Sequence, residues 1–419
     1  MFFKDVLPNG LRVITEEMPS VYSVSASIWV GTGSAYEKPE FAGVSHFLEH
    51  MMFKGTEKRT YTEISELMES VGGQMNAFTS REHTCYYVRC LAENFDLGMD
   101  LLSDMYLNSV FAEEEYQKEK GVILEEINMY EDAPDDLVGD LFNSVIMPSH
   151  PYGKPIIGTV DSVKGLTRDA IHHYYKEVYS PGETVVVVAG NVKRQEVLAE
   201  VEKYLGSHQG AWRRPLLSVP EYAAGSGYIF KDIEQVHVIM GVPALKGNDP
   251  DIYKLQILSN ILGGGVSSRL FQEVREKRGL TYSVYSSNGA LSHGGIFYAY
   301  ASTSPKNVEE LLKVMGEEMA KIAAYGVSEA ELARSQAQIK GSLLMGSESS
   351  SNIMVRLGKG ETNYGEAMEV ETLVKEIMAV TAAEVQAMAQ QLLTPDKLAL
   401  AQVGAKEHKV DVAKLLQCS

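Results

Sequence analysis

The sequence repeats itself with a fixed offset, and this constrains the fold more than any other feature. In each copy a threonine opens a helical pattern, a proline ends it, and a strand-like run then leads to a glycine. These landmarks are Thr167, Pro181 and Gly190 in the first copy and Thr381, Pro395 and Gly404 in the second. Each landmark is displaced by the same 214 positions, as from 167 to 381. A looser correspondence joins the strand-like runs 24–30 and 236–242. Because self-similarity at a constant offset marks repeated structural units, we predict two related halves.

The stretch between the two halves has the composition of a linker. Glycine, serine, proline and arginine are frequent between residues 206 and 227, and such clusters interrupt regular elements. A chain of 419 residues is also too long for one ordinary core. We therefore predict an N-terminal αβ domain over 1–212, a linker over 213–226 and a homologous C-terminal αβ domain over 227–419.

Strand-like runs alternate with longer helical patterns in each half. The strands predicted in the first half are 12–15, 24–30, 74–79, 84–90 and 184–188, and the helices are 44–53, 61–71, 92–108, 113–130 and 136–146. In the second half the predicted strands are 227–231, 236–242, 282–288, 295–301 and 398–402, and helices follow from 307 onward. The short link 80–83 is typical of a hairpin. The pattern predicts an α+β fold in which each domain is a largely antiparallel sheet packed with helices.

Net charge and hydropathy limit the classes of partner. The formal net charge of −18 argues against nucleic acid, because phosphates would be repelled. The charge is compatible with cationic peptides as ligands, and equally with a role in solubility alone. No apolar run approaches the roughly 18 residues of a membrane span, and the longest, 184–189, has the length of a strand. We expect neither nucleic acid nor a membrane as a partner.

The cysteines and the N-terminus indicate the compartment. Cys85, Cys90 and Cys418 are too few and too unevenly spaced for a disulfide framework, so free thiols in a reducing compartment are expected. Residues 1–5 lack the basic and apolar stretches of a secretory signal. Because no organelle-type extension precedes Phe3, a prokaryotic cytoplasmic location is predicted.

A metal-binding pattern lies on the helix predicted over 44–53. His46 and His50 are four residues apart, so a helix presents both imidazoles on one face, one turn apart. Glu49 stands beside them, where its carboxylate can reach a metal-bound water rather than the metal. The order His-x-x-Glu-His is the inverted zinc-peptidase motif. Zinc needs a third protein ligand and one open position for hydrolysis. The alternative is two ordinary histidines beside a helix carboxylate.

The helix predicted over 113–130 is rich in carboxylates, most of which would form a solvated face. Glu126 differs because apolar residues surround it in the sequence at positions 122–124 and 127. A carboxylate buried there without a partner would be unfavourable.

Four segments carry a resemblance that covers essentially the whole chain. They read LPNGLRV at 7–13, HFLEH at 46–50, NAFTSRE at 76–82 and GVILEEI at 121–127. Through them the chain resembles the pitrilysin family of zinc peptidases, and within it the bacterial homologues of the mitochondrial processing peptidase β subunit. The resemblance implies that the two αβ domains form half of a clamshell peptidase with one zinc ion per chain.

The resemblance also implies roles for individual acidic residues. In that family the third zinc ligand is a glutamate 76 positions after the second histidine, and this position is Glu126. A supporting glutamate seven residues earlier corresponds to Glu119, which would orient the ligands or add charge. Glu49 would be the general base on the zinc-bound water.

Substrate contacts follow from the same resemblance. The strand 74–79 is similar to the edge strand on which peptides of this family lie, so Asn76, Ala77 and Phe78 are expected to contact substrate. The alternative is an ordinary hairpin strand. Asp136 and Asp140 match acidic positions that engage a substrate arginine in the processing peptidases. A solvated helix start with favourable negative charge explains them equally well.

The second half lacks a metal motif, because the segment Leu258-Ser259-Asn260-Ile261-Leu262 has no metal ligand. The glycine triplet 263–265 could suggest a phosphate cradle, but no Lys-Ser or Lys-Thr follows, which favours a helix-ending turn. Arg275 and Tyr282 have the seven-residue offset of a family pair that binds substrate backbone and stabilises the oxyanion.

The larger members of the family carry two such units in one chain. A single unit that has both the zinc motif and the Arg275–Tyr282 pair is therefore expected to form a C2 homodimer enclosing a peptide-sized chamber. The expected substrates are short or unfolded peptides, with a preference for basic residues near the cut. The alternative function is a non-catalytic core or assembly subunit of the same fold.

Overall fold

The computed structural model describes residues 1–416, so the predicted free thiol of Cys418 lies outside the described residues. The strands are β1 (Phe2–Val6), β2 (Arg12–Glu17), β3 (Ser23–Val30), β4 (Gln74–Thr79), β5 (Thr84–Leu91), β6 (Thr184–Gly190), β7 (Gly225–Phe230), β8 (Val236–Ala244), β9 (Val284–Ala290), β10 (Gly295–Thr303) and β11 (Ala399–Gly404).

The α-helices of the first half are α1 (Val44–Met52), α2 (Tyr61–Ser70), α3 (Phe95–Asn108), α4 (Glu113–Asp132), α5 (Pro134–Ile146), α6 (Val160–Gly165), α7 (Arg168–Val178) and α8 (Arg194–Leu205). Those of the second half are α9 (Ile252–Gly263), α10 (Val308–Tyr325), α11 (Glu329–Gly346), α12 (Ser350–Tyr364), α13 (Val370–Ala379), α14 (Ala382–Leu392) and α15 (Val412–Leu415). A π-helical turn covers Phe271–Glu276.

The predicted strands and helices occur in the structure, whereas helices α6 and α8 were not predicted, and two further differences concern strands. Strand β1 was not predicted, because its residues are exposed or half-buried and show no alternation of apolar and polar positions. It pairs with β2 through the register Phe2↔Glu16 to Val6↔Arg12. Strand β9 begins at Val284 rather than at Tyr282.

Each half forms one mixed sheet that is largely antiparallel, as predicted. The first sheet has the strand order β1-β2-β6-β3-β5-β4, and its parallel pair is β2 with β6. The second sheet has the order β7-β11-β8-β10-β9, and its parallel pair is β7 with β11. Among the described residues, β4 and β9 are therefore edge strands at equivalent positions of the two sheets.

The landmarks of the sequence repeat occupy equivalent places in the two halves. Thr167 caps α7 by accepting a hydrogen bond from the Ala170 amide, and Thr381 caps α14 by accepting one from the Glu384 amide. Both helices are followed by a 3₁₀ turn that begins with proline, and then by the central strands β6 and β11. The capping hydroxyl and the proline explain why threonine and proline recur at these positions.

The two halves exchange one helix each. Helix α5 packs on β11, β8 and β7, whereas α12 packs on β6 and β3. One compact unit consists of Met1–Ile127, Pro155–Leu217 and Leu344–Val370. The other consists of Asn128–Lys154, Ser218–Leu343 and the described residues from Glu371 onward.

This division differs from the predicted domains. The break between 217 and 218 falls inside the predicted linker 213–226, but residues 128–154 and 344–370 belong to the opposite unit from the one expected. The physical reason is that an amphipathic pattern shows which face of a helix is buried and leaves open which sheet covers it.

The core of the first unit supports the helix that carries the metal motif. Phe47, Leu48, Met51 and Met52 of α1 are fully buried in a cluster that includes residues of β3, β5 and α3. The opposite face of the sheet is covered by α12, which packs around Trp29. No helix among the described residues has the length and apolarity to cross a membrane.

Candidate metal centre

The start of α1 is held by a residue from the preceding segment. Gly43 precedes the helix with φ of 91°, and a Cβ there would lie 2.6 Å from the Ile157 carbonyl oxygen, so only glycine fits. The Glu37 carboxylate accepts hydrogen bonds of 2.7 Å from the Gly43 and Ser45 amides. These bonds satisfy amide groups that the helix itself leaves unpaired.

Two histidines of α1 and one glutamate of α4, the three predicted metal ligands, lie close together. The rings of His46 and His50 lie with centroids 4.8 Å apart. Glu126 Oε1 is 3.7 Å from His46 Nε2, and Glu126 Oε2 is 3.4 Å from His50 Nε2. Within residues 1–416, these three side chains form the group whose ligand atoms could hold a metal ion, all within 4.8 Å of one another.

The donor set fits zinc. A tetrahedral zinc ion with bonds of about 2.0–2.1 Å keeps its ligand atoms roughly 3.3 Å apart. The distances of 3.4 and 3.7 Å between Glu126 and the two histidines are close to this value. Two imidazole nitrogens and one carboxylate are also a ligand set found in catalytic zinc sites, where a fourth position stays open.

Glu119 contacts the second histidine. Its Oε2 lies 3.0 Å from His50 Nδ1, and its Oε1 lies 2.7 Å from the Lys54 ammonium. A proton on Nδ1, donated to Glu119, leaves the lone pair of Nε2 free to bind a metal. Glu119 belongs to the buried face of α4 together with Tyr116, Ile123 and Ile127.

The two histidines differ in their protonation in the metal-free protein. Burial and the neighbouring His50 lower the pKa of His46 to about 4, against the attraction of Glu126. Burial opposes the charged form of His50, but the hydrogen bonds with Glu119 and Glu126 outweigh it and raise the pKa to about 9. The Nδ1 atom of His46 is buried, and no hydrogen-bond partner for it occurs among the described residues.

Contacts with the same neighbours also shift the pKa values of the Glu126 and Glu119 carboxylates. The hydrogen bond with His50 lowers the pKa of Glu126 despite burial. Burial works against the charged form of Glu119, but its bonds to His50 and Lys54 lower the pKa overall. Both groups therefore carry negative charge at neutral pH, as zinc coordination and its support require.

Glu49 lies beside the histidines in a different environment. Burial raises the pKa of Glu49, although a hydrogen bond from the Thr79 hydroxyl opposes this effect. A carboxylate with a raised pKa is a more effective general base near neutral pH. The Thr79 contact connects α1 to the edge strand β4.

The predicted substrate strand β4 is at the edge of its sheet, with its three candidate residues in different surroundings. Asn76 is exposed, and its side-chain oxygen accepts a hydrogen bond of 2.8 Å from the Ala77 amide. Phe78 packs against Trp29 with ring centroids 5.5 Å apart. The Phe78 side chain therefore lies on the face covered by α12, away from α1.

The other predicted contact residues lie in the second unit. Asp136 is exposed in the first turn of α5, where partial desolvation and the neighbouring Asp135 charge raise its pKa. Asp140 follows one turn later. Arg275 lies on the π-helical turn, with its guanidinium carbon 4.5 Å from the centre of the Tyr282 ring. Tyr282 is 81% exposed. The Arg275 guanidinium therefore forms a cation–π contact with the Tyr282 ring.

Three residues that shape the site were not predicted. Thr79 bonds Glu49, Lys54 pairs with Glu119, and Glu37 caps α1. The sequence could have indicated Lys54, because this residue stands four positions after His50. No sequence pattern indicates Thr79 or Glu37, because only the tertiary fold brings their partners close.

Two family models match most of the chain. The model described as "Insulinase (Peptidase family M16)" matches residues 12–160, which contain the three candidate metal ligands. The model described as "Peptidase M16 inactive domain" matches residues 165–339. The second match agrees with the absence of a metal-binding group from α9 in the described residues.

Bacterial proteins are similar to this chain over nearly its whole length. An uncharacterized zinc protease of Bacillus subtilis is 40% identical over 388 residues, which cover 93% of this chain and 95% of the relative. One from Streptomyces coelicolor is 41% identical over 399 residues, covering 93% of this chain and 87% of the relative.

Solved structures show the same fold. A protease from Helicobacter pylori superposes with a TM-score of 0.90 at 22% identity, covering 96% of this chain and 99% of the other. A Pseudomonas fluorescens protein described as a peptidase M16 inactive domain has a TM-score of 0.89 at 21% identity, covering 98% and 99%. With its matching family models, its relatives and this fold, the chain belongs to peptidase family M16, the insulinase or pitrilysin family.

Proposed function

We propose that the chain is a zinc-dependent endopeptidase that cleaves short or unfolded peptides. The observation that carries this proposal is the convergence of His46, His50 and Glu126 within 4.8 Å, with Glu49 on the same helix. The names of the bacterial relatives as zinc proteases support the same reading.

The side chains divide the chemistry among them. His46, His50 and Glu126 would hold zinc, and Glu119 keeps the His50 imidazole in the required tautomer. Zinc, when bound, would lower the pKa of a water molecule and polarise the scissile carbonyl. Glu49 would take the proton of the attacking water and later deliver it to the leaving amine.

A non-catalytic core or assembly subunit is the alternative function. A subunit of that kind has no need to retain a complete ligand set or an acidic residue beside it. Here the three ligands, the orienting Glu119 and the candidate base Glu49 all occur together. Their joint presence favours the enzyme.

Substrate is proposed to bind as an added strand on β4. An edge strand offers main-chain hydrogen bonds that make few demands on the peptide sequence. The exposed Asn76 and the neighbouring Ala77 are the proposed contacts, whereas Phe78 would act through its packing on Trp29. Asp136 and Asp140 are proposed to favour basic residues near the cut.

We further propose a C2 homodimer in which Arg275 and Tyr282 of one copy serve the zinc site of the other. Their mutual stacking and the exposure of Tyr282 support a role as donors to the oxyanion. A prokaryotic cytoplasmic location is also proposed, and the bacterial relatives support its prokaryotic part.

A cleavage profile tests the main proposal. The purified chain is incubated with a random peptide library, and zinc is measured in the same preparation. We expect internal cleavage, one zinc per chain and loss of nearly all turnover in Glu49→Gln with its zinc retained. Wild-type turnover in Glu49→Gln would remove Glu49 from its role, and a zinc-loaded protein that cleaves no peptide would favour the non-catalytic alternative.

Complementation tests the shared site. Glu49→Gln and Tyr282→Phe proteins are each expected to be inactive, and a mixture that exchanges subunits should recover part of the activity. If subunit exchange is verified and activity still does not recover, sharing of the site between subunits is contradicted. The same library shows whether basic residues near the cut raise turnover, and indifference to them would exclude the proposed role of Asp136 and Asp140.

A further inference from the structure

The carboxylate of Glu49 is bound by a side chain from outside its own helix. The Thr79 hydroxyl donates a hydrogen bond of 2.5 Å to Glu49 Oε2. Among the described residues Thr79 is the hydrogen-bond donor to this carboxylate, and Oε1 has no comparable bond. One oxygen of the candidate base is therefore held while the other remains available to a water molecule.

The side of β4 on which Thr79 lies follows from the alternation of the strand. Met75 and Ala77 pack against the core that includes α1, whereas Phe78 packs against Trp29 on the opposite face. Successive side chains of a strand point to opposite faces. Thr79 therefore shares the α1 face with Met75 and Ala77.

The main chain of the same residue points to the free edge. The Ser80 amide donates a 2.8 Å hydrogen bond to the His83 carbonyl, and Thr79 opposes Thr84 as the next pair. Because hydrogen-bonded and non-hydrogen-bonded pairs alternate along antiparallel strands, the peptide groups of Thr79 and Ala77 face away from β5. The Ala77 amide agrees with this, since it is bonded by the Asn76 side chain rather than by β5.

We propose that Thr79 is the positioning residue that aligns the general base Glu49 with a peptide lying on β4. Its hydroxyl holds one oxygen of Glu49, and its peptide group belongs to the edge on which the substrate would pair. This inference rests on the proposed function. According to this inference, the substrate strand β4 and helix α1 together determine the orientation of Glu49.

A role in packing is the competing explanation. Thr79 could stabilise the contact between α1 and β4 through its methyl group, and Glu49 would then keep its orientation without the hydroxyl. Thr79→Val retains the branched shape and removes the hydroxyl, whereas Thr79→Ser retains the hydroxyl and removes the methyl group. The two substitutions therefore separate the explanations.

The experiment uses the full-length zinc-loaded protein and an internally quenched peptide that contains arginine. We expect Thr79→Val to lower kcat about 10- to 100-fold, as misplacement of a catalytic group does, with KM within about twofold because the edge strand is unchanged. Thr79→Ser should stay within about threefold of the wild-type kcat because it keeps the hydrogen bond. Zinc affinity, measured by chelator competition, should be equal in all three proteins.

Glu49→Gln and the double variant Glu49→Gln/Thr79→Val complete the design. If Thr79 acts through Glu49, the double variant loses no more activity than Glu49→Gln alone. Equal losses in Thr79→Val and Thr79→Ser, or weakened zinc binding in Thr79→Val, would assign Thr79 to packing and overturn the inference. Full activity of Thr79→Val beside an inactive Glu49→Gln would overturn it while the proposed function stands. Full activity of Glu49→Gln would instead contradict the proposed function itself.

Discussion

Glu119 lies 3.0 Å from the Nδ1 atom of His50, on the side of the ring opposite to the atom that faces Glu126. The same glutamate pairs with Lys54 at 2.7 Å. This one buried carboxylate on α4 therefore contacts both His50 of α1 and Lys54, which follows the helix. With Nδ1 of His50 in contact with Glu119, Nε2 is the nitrogen that faces Glu126.

Replacement of Glu119 by glutamine should weaken zinc binding about 10- to 100-fold, because the amide no longer fixes the tautomer of His50 as strongly. Chelator competition at pH 7.5 measures the change. Glu115→Gln is the matched control, since Glu115 belongs to the same helix and pairs with the exposed Lys118. Equal zinc affinity in the two variants would contradict the orienting role of Glu119.

Zinc binding should also depend on pH through His50. The pKa of His50 is raised to about 9 in the metal-free protein, so this imidazole is protonated at neutral pH. Zinc requires the neutral ring, and the proton therefore competes with the metal. The apparent association constant is expected to rise about tenfold per pH unit between about pH 6 and 8 and to level off near about pH 9.

The pKa of His46 is lowered to about 4, so His46 should add nothing to this dependence. Calorimetry in buffers of different ionisation enthalpy should detect about one proton released per zinc at pH 7. In Glu119→Gln the release should decrease, because the hydrogen bond that stabilises the imidazolium is weakened. Zinc binding without proton release would contradict the raised pKa of His50.

Glu37 should couple the stability of α1 to pH. Burial raises the pKa of Glu37 to about 7, although the Ser45 and Gly43 amides favour its charged form. The folded pKa is above the unfolded value, so the folded state binds this proton more tightly. The free energy of unfolding should therefore decrease as pH rises from about 4.5 to 7, with a slope of at most about 1.4 kcal/mol per pH unit from this group.

Urea unfolding at several pH values measures the effect. Glu37→Ala should remove this slope and lower the free energy of unfolding at pH 7 by about 1–3 kcal/mol, because two helix amides lose their acceptor. Glu40→Ala provides a control, since Glu40 is an exposed neighbour in the same segment. An unchanged pH dependence in Glu37→Ala would assign the slope to other groups.

The exchanged helix α12 can be tested by its contact with Trp29. A Cβ at Gly358 would lie 2.1 Å from the Trp29 ring, which is fully buried. Gly358→Ala should therefore lower the free energy of unfolding by about 1–3 kcal/mol, because overpacking shifts the neighbouring core.

Gly121→Ala is the matched helical control, since nothing lies within 4 Å of a Cβ built there. This variant should be about 0.5–1 kcal/mol more stable than wild type, because alanine favours the helix. Both values come from urea unfolding of the full chain. A Gly358→Ala protein as stable as wild type would mean that α12 does not pack on Trp29 as observed.

Much of the architecture could be predicted because it is encoded locally. Threonine caps and proline stops mark α7 and α14, and the alternation of apolar residues marks the strands. Strand β1 was missed because an exposed edge strand has no buried face to impose a pattern. The sequence also led to the ligand pair His46 and His50, since four residues along a helix return to the same face.

Other features depend on distant segments. The resemblance to the family led to Glu126 and Glu119, whose distances to the histidines only the fold provides. Thr79 and Glu49 are 30 residues apart and meet because β4 and α1 pack side by side. Phe78 was predicted to contact substrate, and only the fold shows that its side chain packs against Trp29.

The sequence by itself determined the two related halves, their strands and helices, and the helix face that carries both histidines. Only the tertiary structure decided that α5 and α12 cross to opposite sheets, that Glu119 reaches His50, and that Thr79 reaches Glu49. The physical reason is the range of the interactions. Caps, turns and periodicity act within a few residues, whereas a buried face can be covered by any complementary surface that the folded chain brings to it.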